Sequence, residues 1–358
     1  MKKLLILFLV FSLIGCKTAP IVKSKTNTQL HFLDEFVLPD TLMVKGTIVG
    51  GLSGIDYQNG MYYLICDDAF DARYYTANIH IENNTIADIE FADVFKIKDS
   101  SHFLDLESIR FDPITKKVMI TSEGSIKRGK DPLLFSVNPS GEITTVKIPD
   151  ELLANSSQKP RNNGTLEGFC ISHDQKGYWI AMELPLEADG PEPTFEKANS
   201  PVRITYIDAK LQQPTRQFAY YLEPIIKEPR GDFAVNGLTD ILQYEKDKFF
   251  VIERAYSSGW GTQGNTVKIF RVDISDASNT LNSNSLKDEM YVSAHKELLF
   301  DLETIRGQLT ENIIDNIEGI SFGPLLPNGN KSLILVADNN FNQLGEQINQ
   351  FILFEIVD

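Results

Sequence analysis

Basic residues are scarce in this chain. Across 358 residues, 34 Lys and Arg face 49 Asp and Glu, a formal charge of -15. That sign is wrong for a protein that lives on phosphate backbones, so no nucleic-acid partner is expected. Cysteine is rarer still, with three. Cys66 and Cys170 each lie inside an apolar run, and no CxxC or Cys/His metal spacing exists, so both read as buried free thiols. None of the five histidines, His31, His80, His102, His173 and His295, falls in the repeated positions described below, which argues against zinc. The chain also has no Gly-x-Ser-x-Gly elbow, Walker loop, HExxH or RHGxRxP-like signature, which disfavours serine-esterase and histidine-phosphatase chemistry. No linker rich in Pro, Gly or Ser divides it, and helical periodicity is weak outside residues 287–314.

What is present begins at the amino terminus. Lys2 and Lys3 precede an apolar run from Leu4 to Leu13 that is too short to span a bilayer, and this reads as an export signal over residues 1–15. The run ends in Leu13-Ile14-Gly15-Cys16, which resembles the bacterial lipobox. That resemblance implies a lipidated Cys16, a polar tether to residue 29 and a membrane-anchored lipoprotein of the bacterial cell envelope, touching the bilayer through this anchor only. Residues 30–358 then form one domain, expected to be monomeric.

Internal repetition organises that domain. Gly51-Leu52-Ser53-Gly54-Ile55, Asp105-Leu106-Glu107-Ser108-Ile109, Thr165-Leu166-Glu167-Gly168-Phe169, Val235-Asn236-Gly237-Leu238-Thr239-Asp240 and Asn316-Ile317-Glu318-Gly319-Ile320 each open a strand-like alternation. Each is followed by a turn and a second apolar run tipped with acids or amides: Asp67-Asp68, Glu123, Glu183, Glu253-Arg254 and Asp338-Asn339. With Ser53, Glu107, Glu167, Gly237 and Glu318 as marks, each unit is long enough for four strands. The last unit lacks a fourth strand, which the run His31 to Leu38 can supply. The expected fold is all-β: a β-propeller of about five four-stranded blades, closed by the N-terminal strand. Six blades are the alternative if the long fourth unit, with Leu298-Leu299-Phe300, holds an extra sheet.

In a propeller the first strand of each blade lines the central channel, so the repeated acids converge. So many carboxylates cannot stay ionised in one cavity without a counter-charge. Glu107, Glu167, Glu318, Asp338, Asn339 and Asp68 are the candidate ligands of a cation, all oxygen donors, which favours Ca²⁺ and then Mg²⁺. The competing reading makes Glu107, Glu167 and Glu318 latches to backbone N–H groups of neighbouring blades. Arg254 either neutralises acids or grips a substrate phosphate or carboxylate. Trp260, between Gly259 and Gly261, either forms a ligand platform or packs on a neighbouring blade.

The glycine- and acid-bearing segments above, together with Ser122-Glu123-Gly124, Ile252-Glu253-Arg254 and Asp338-Asn339-Asn340-Phe341, resemble the phytase-like family described as having esterase-like activity of phytase. The resemblance spans residues 30–358 and implies an envelope propeller that hydrolyses phosphate or carboxylate esters, its ligand a small ester or anion. On that reading a metal-activated water attacks, with Glu183 or Glu253 as general base and Arg254 on the oxyanion. Asn236 departs from a Glu-bearing repeat. The alternative function is a noncatalytic propeller that binds a ligand or partner.

Overall fold

The structure, a computed structural model, describes residues 28–287, 289–343 and 345–357. The export signal and Cys16 lie outside them. The chain enters through β1 (Gln29–Leu38) and a short hairpin, β2 (Met43–Val44) and β3 (Thr47–Ile48). Blade 1 is β4 (Gly54–Gln58), β5 (Met61–Cys66), β6 (Arg73–Glu82) and β7 (Thr85–Lys96). Blade 2 is β8 (Leu106–Asp112), β9 (Lys117–Ser122), β10 (Leu133–Val137) and β11 (Ile143–Val146). Blade 3 is β12 (Leu166–Ile171), β13 (Gly177–Met182), β14 (Pro201–Asp208) and β15 (Gln213–Tyr221). Blade 4 is β16 (Ala234–Glu245), β17 (Lys248–Ser257), β18 (Asn265–Asp273) and β19 (His295–Asp301). Blade 5 is β20 (Ile317–Leu325), β21 (Lys331–Ala337) and β22 (Asn349–Val357), completed by β1 on its outer edge. The inner strands β4, β8, β12, β16 and β20 close a ring, giving a five-bladed β-propeller.

Closure follows the expectation for His31 to Leu38. Strand β1 pairs antiparallel with β22 from Gln29↔Val357 to Leu38↔Asn349, so the two ends of the chain share one sheet and hide an edge. The sixth blade does not form. Instead, the extra length of unit four, residues 274–294, lies along the edge of blade 3, where Thr280 N–H and Ala294 N–H donate to the Gln217 and Ala219 carbonyls at 2.8 and 2.9 Å. Buried Arg203 holds it there: it pairs with Asp189 at 2.7 and 2.8 Å and donates to the Ser283 carbonyl. Residues 287–314, where the helical pattern is stronger than elsewhere, nevertheless form strand β19 and short 3-10 turns.

Apolar faces of neighbouring blades form the core. Trp179 is 4% exposed and packs on Tyr206, Phe218 and Phe249, bridging blades 3 and 4. Cys66 and Cys170 are buried and free, as the sequence suggested. At the axis the backbones nearly touch. A Cβ added to Gly54 would lie 2.7 Å from the Glu107 carbonyl oxygen, and one on Gly319 would lie 3.0 Å from Gly54 Cα. Five strands in a narrow ring therefore require the smallest side chains at these two positions.

Halfway down the axis an ion pair plugs the channel. Arg110 Nη2 donates to both oxygens of Asp240 at 3.0 and 2.8 Å, and Nη1 donates to the Ile55 and Ile109 carbonyls. Asp240 also accepts from Phe169 N–H and Ile320 N–H. One pair of side chains thus touches all five inner strands.

Candidate functional site at the acid mouth

Every inner strand begins, and every second strand ends, at the same end of the channel. Strands β8, β12, β16 and β20 each carry a bulge there, so one residue has no cross-strand partner of its own and its side chain is re-aimed. Matching the bulges aligns Glu107, Glu167, Thr239 and Glu318, with Ser53 at the same place before β4. The sequence marks Gly237 or Asn236 as the fourth member, two to three residues too early, because a bulge cannot be seen in spacing alone. Thr239 and Ser53 are the latches of this level: their hydroxyls donate to the Ile317 and Leu106 carbonyls of the next blade at 3.2 and 2.9 Å. Among the described residues, Glu107, Glu167 and Glu318 bind no backbone N–H of a neighbouring blade in that way.

The second-strand tips align through their cross-strand bonds. Asp67, Glu123, Glu183 and Asp338 N–H groups donate to the Gly51, Asp105, Thr165 and Asn316 carbonyls, and Arg254 pairs with Gly237. Four acids and one arginine therefore occupy one repeated position, and the arginine stands where its own blade would carry an acid. Side chains alternate along a strand, so the residue beside each tip points elsewhere. This corrects three assignments. Glu253 faces the space between blades 3 and 4, where its carboxylate accepts from Tyr220 Oη, Lys296 Nζ, Asn236 Nδ2 and Glu223 N–H at 2.6 to 2.8 Å. Fully occupied, it has no lone pair for a substrate proton. Asp68 caps the turn at Phe70 and Asp71 and pairs with Arg73 at 2.9 Å. Asn339 Oδ1 accepts from Gly51 N–H and Phe341 N–H, tying blade 5 to blade 1.

Eight carboxylates remain: Asp67, Asp105, Glu107, Glu123, Glu167, Glu183, Glu318 and Asp338. Asp105 is not among the candidates read from sequence: it lies one residue before β8, where the other units carry Gly51, Thr165, Gly237 and Asn316. Oxygens of Asp67, Asp105 and Glu107 lie within 4.8 Å of one another, as do those of Glu107, Glu123 and Glu167, so Glu107 belongs to both sets. All eight are harder to ionise than usual, burial being the largest cause. Neighbouring acids add to it: Glu167 on Glu107, Glu183 on Glu167, Glu318 on Asp338 and Asp105 on Asp67. Glu123 is pushed up to about 8, although Thr165 N–H donates to it at 2.7 Å. Glu183 reaches about 7, with Arg254 pulling the other way.

Arg254 is the one cation at these inner positions. Its Nη2 donates to Glu318 Oε1 at 3.1 Å and lies 3.9 Å from Glu183 Oε1, while Asn316 Nδ2 also donates to Glu318 at 2.8 Å. Gly237 makes room for this arrangement, since a Cβ there would lie 2.4 Å from Glu183 Oε1. Trp260 is neither an open platform nor a packed core residue: Arg230 stacks on its ring at 3.4 Å and its Nε1 donates to the Glu228 carbonyl. His102 pairs with Asp99 at 3.0 Å in an exposed loop. A surface cavity of about 830 Å³ lies at the opposite end of blade 4 beside Lys248, Asp273 and His295, away from the acids.

Five four-stranded blades around a cluster of carboxylates at one end of the channel define a propeller with an oxygen-donor site that could hold a metal ion. The chain belongs to the phytase-like family, described as esterase-like activity of phytase, whose pattern matches residues 47–341. Among curated proteins none matches. Solved structures similar in outline include an exo-1,5-alpha-L-arabinanase from a bovine ruminal metagenomic library, 8% identical over 85% of this chain and 93% of its own, with a TM-score of 0.43. An endo-1,4-beta-xylanase from Bacteroides thetaiotaomicron is 10% identical over 86% and 95%, with a TM-score of 0.42. A duf4221-family member from Bacteroides vulgatus is 10% identical over 92% and 98%, with a TM-score of 0.38.

Proposed function

We propose that this chain is a cation-dependent hydrolase of phosphate or carboxylate esters, working at the acid mouth and held to the bacterial envelope by a lipidated Cys16. One observation carries the reading: eight carboxylates, six buried and two half-buried, meet at one end of the channel with one guanidinium among them. The donors are all oxygens at close range, which suits Ca²⁺ first and Mg²⁺ second. Asp67, Asp105, Glu107, Glu123 and Glu167 would hold the ion, with Asp338 and Glu318 behind them. Bound there, it would polarise an ester oxygen and make water a better nucleophile. Glu183 serves as the base, because a carboxyl titrating at about 7 is divided between its two forms near neutral pH. Arg254 positions Glu183 and offsets its charge. Its bond to Glu318 also supports the second reading, a noncatalytic ligand-binding propeller whose acids are paired internally.

The test is metal analysis of purified protein, followed by hydrolysis of p-nitrophenyl phosphate and p-nitrophenyl acetate with and without EDTA. Loss of turnover in EDTA and in Glu183→Gln is expected; turnover that survives both overturns the proposal, and bound metal without turnover favours the second reading. For the anchor, Cys16→Ser is expected to move the protein from the membrane to the soluble fraction.

A further inference from the structure

Arg254 is mostly buried, and its Nη2 is already engaged by Glu318, although its Nε has no partner. Other arginines near the mouth are also spent: Arg73 on Asp68, Tyr75 and the Asp71 and Ile48 carbonyls, and Arg161 on Glu192 and the Pro185 and Gly190 carbonyls. Arg128 is different. It is exposed, and among the described residues no carboxylate or carbonyl pairs with its guanidinium, whose Cζ lies 4.8 Å from the centre of the Phe103 ring. A cation–π contact of this kind holds the group over the ring without using its N–H donors.

The setting is rigid and adjacent to the acids. Arg128 ends a 3-10 turn, Ile126–Arg128, that Gly129 closes at φ 64°. The turn is clasped by paired Ser125 and Lys130 backbone bonds at 2.9 Å, and Lys127 N–H donates to Asn162 Oδ1 at 3.0 Å. Strand β9 leads into it directly from Glu123, and the Phe103 beneath Arg128 lies two residues before Asp105. The charge of Arg128 reaches Asp105, opposing the rise that burial causes there.

We infer that Arg128 is the anion-recognition residue of the mouth: it takes a phosphate or carboxylate group of the ligand in bidentate fashion and so selects anionic over neutral esters. The selection rests on the hydrolase reading, whereas the anion binding does not. Arg230, also exposed and stacked on the Trp260 ring, is the control.

Inorganic phosphate binding to the full chain is measured by calorimetry for wild type, Arg128→Ala, Arg128→Lys and Arg230→Ala, each checked for an unchanged melting transition. Arg128→Ala is expected to weaken phosphate roughly 10- to 100-fold, with partial rescue by Lys and no change in Arg230→Ala. In turnover, KM for p-nitrophenyl phosphate rises in Arg128→Ala while kcat, and KM for p-nitrophenyl acetate, hold. Unchanged phosphate binding, an equal loss on both esters, or the same loss in Arg230→Ala overturns the inference. If wild type hydrolyses neither ester yet Arg128→Ala loses phosphate, the hydrolase reading fails and the anion site stands.

Discussion

The channel holds buried charge at two levels, and the two are built on opposite principles. At mid-channel one arginine meets one aspartate, and backbone groups from all five blades bond to the pair, with Arg110 Nε alone left without a partner. At the mouth eight carboxylates share Arg254, and all eight resist ionisation. Both levels stand on the same inner strands, a few residues apart, so the contrast cannot come from the scaffold. A charge-balanced pair bonded to the surrounding backbone holds strands together and leaves no surplus charge for a ligand. A surplus of one sign in a dry site costs stability until something of the other sign arrives.

Breaking the lower level should cost most. Asp240→Ala leaves Arg110, 2% exposed, without its counter-ion, and a loss of about 3–5 kcal/mol is expected in chemical denaturation. The upper level should respond in the opposite sense. Glu183→Gln is expected to lower turnover by ~10²-fold or more while leaving the metal-free protein as stable as wild type or more so, because a repelled carboxyl has been removed. A comparable loss of stability in both variants would erase the distinction between the levels.

Acidity sharpens the comparison further. The acids at the mouth titrate higher folded than unfolded, so their contribution to stability is full below the ordinary carboxylate range and is lost as pH rises through the folded values. For Glu183 and Glu123 those are about 7 and about 8. The melting temperature of EDTA-treated protein is therefore expected to fall between pH 5 and 8, and millimolar Ca²⁺ to flatten that fall. A Ca²⁺-independent profile would remove the cation from the account. The smallest effect belongs to a single latch. Ser53→Ala deletes one hydroxyl bond to the Leu106 carbonyl, and about 1 kcal/mol is expected by denaturation, with turnover unchanged.

Much of this was legible from sequence. The repeated hairpins gave the blade number, the missing fourth strand gave the closure by His31 to Leu38, and the recurring Glu residues of units two, three and five fall at one bulge position of the inner strands. What misled was parity. Asp68, Glu253 and Asn339 each stand one residue from a true tip, and a shift of one residue turns a strand side chain to the other face. Bulges did the rest, moving the fourth mark to Thr239 and placing Asp240, rather than a glycine, at the axis.

By itself, then, the sequence determined the period, the strand character and the supply of acids, because alternation and turns are local properties of a chain. Tertiary structure decided which of those acids face each other. It set Arg254 in the place of a fifth acid and kept Arg128 free at the rim. It also drew Arg110 and Asp240 together from blades far apart in sequence, since only ring closure brings five inner strands within reach of one side chain.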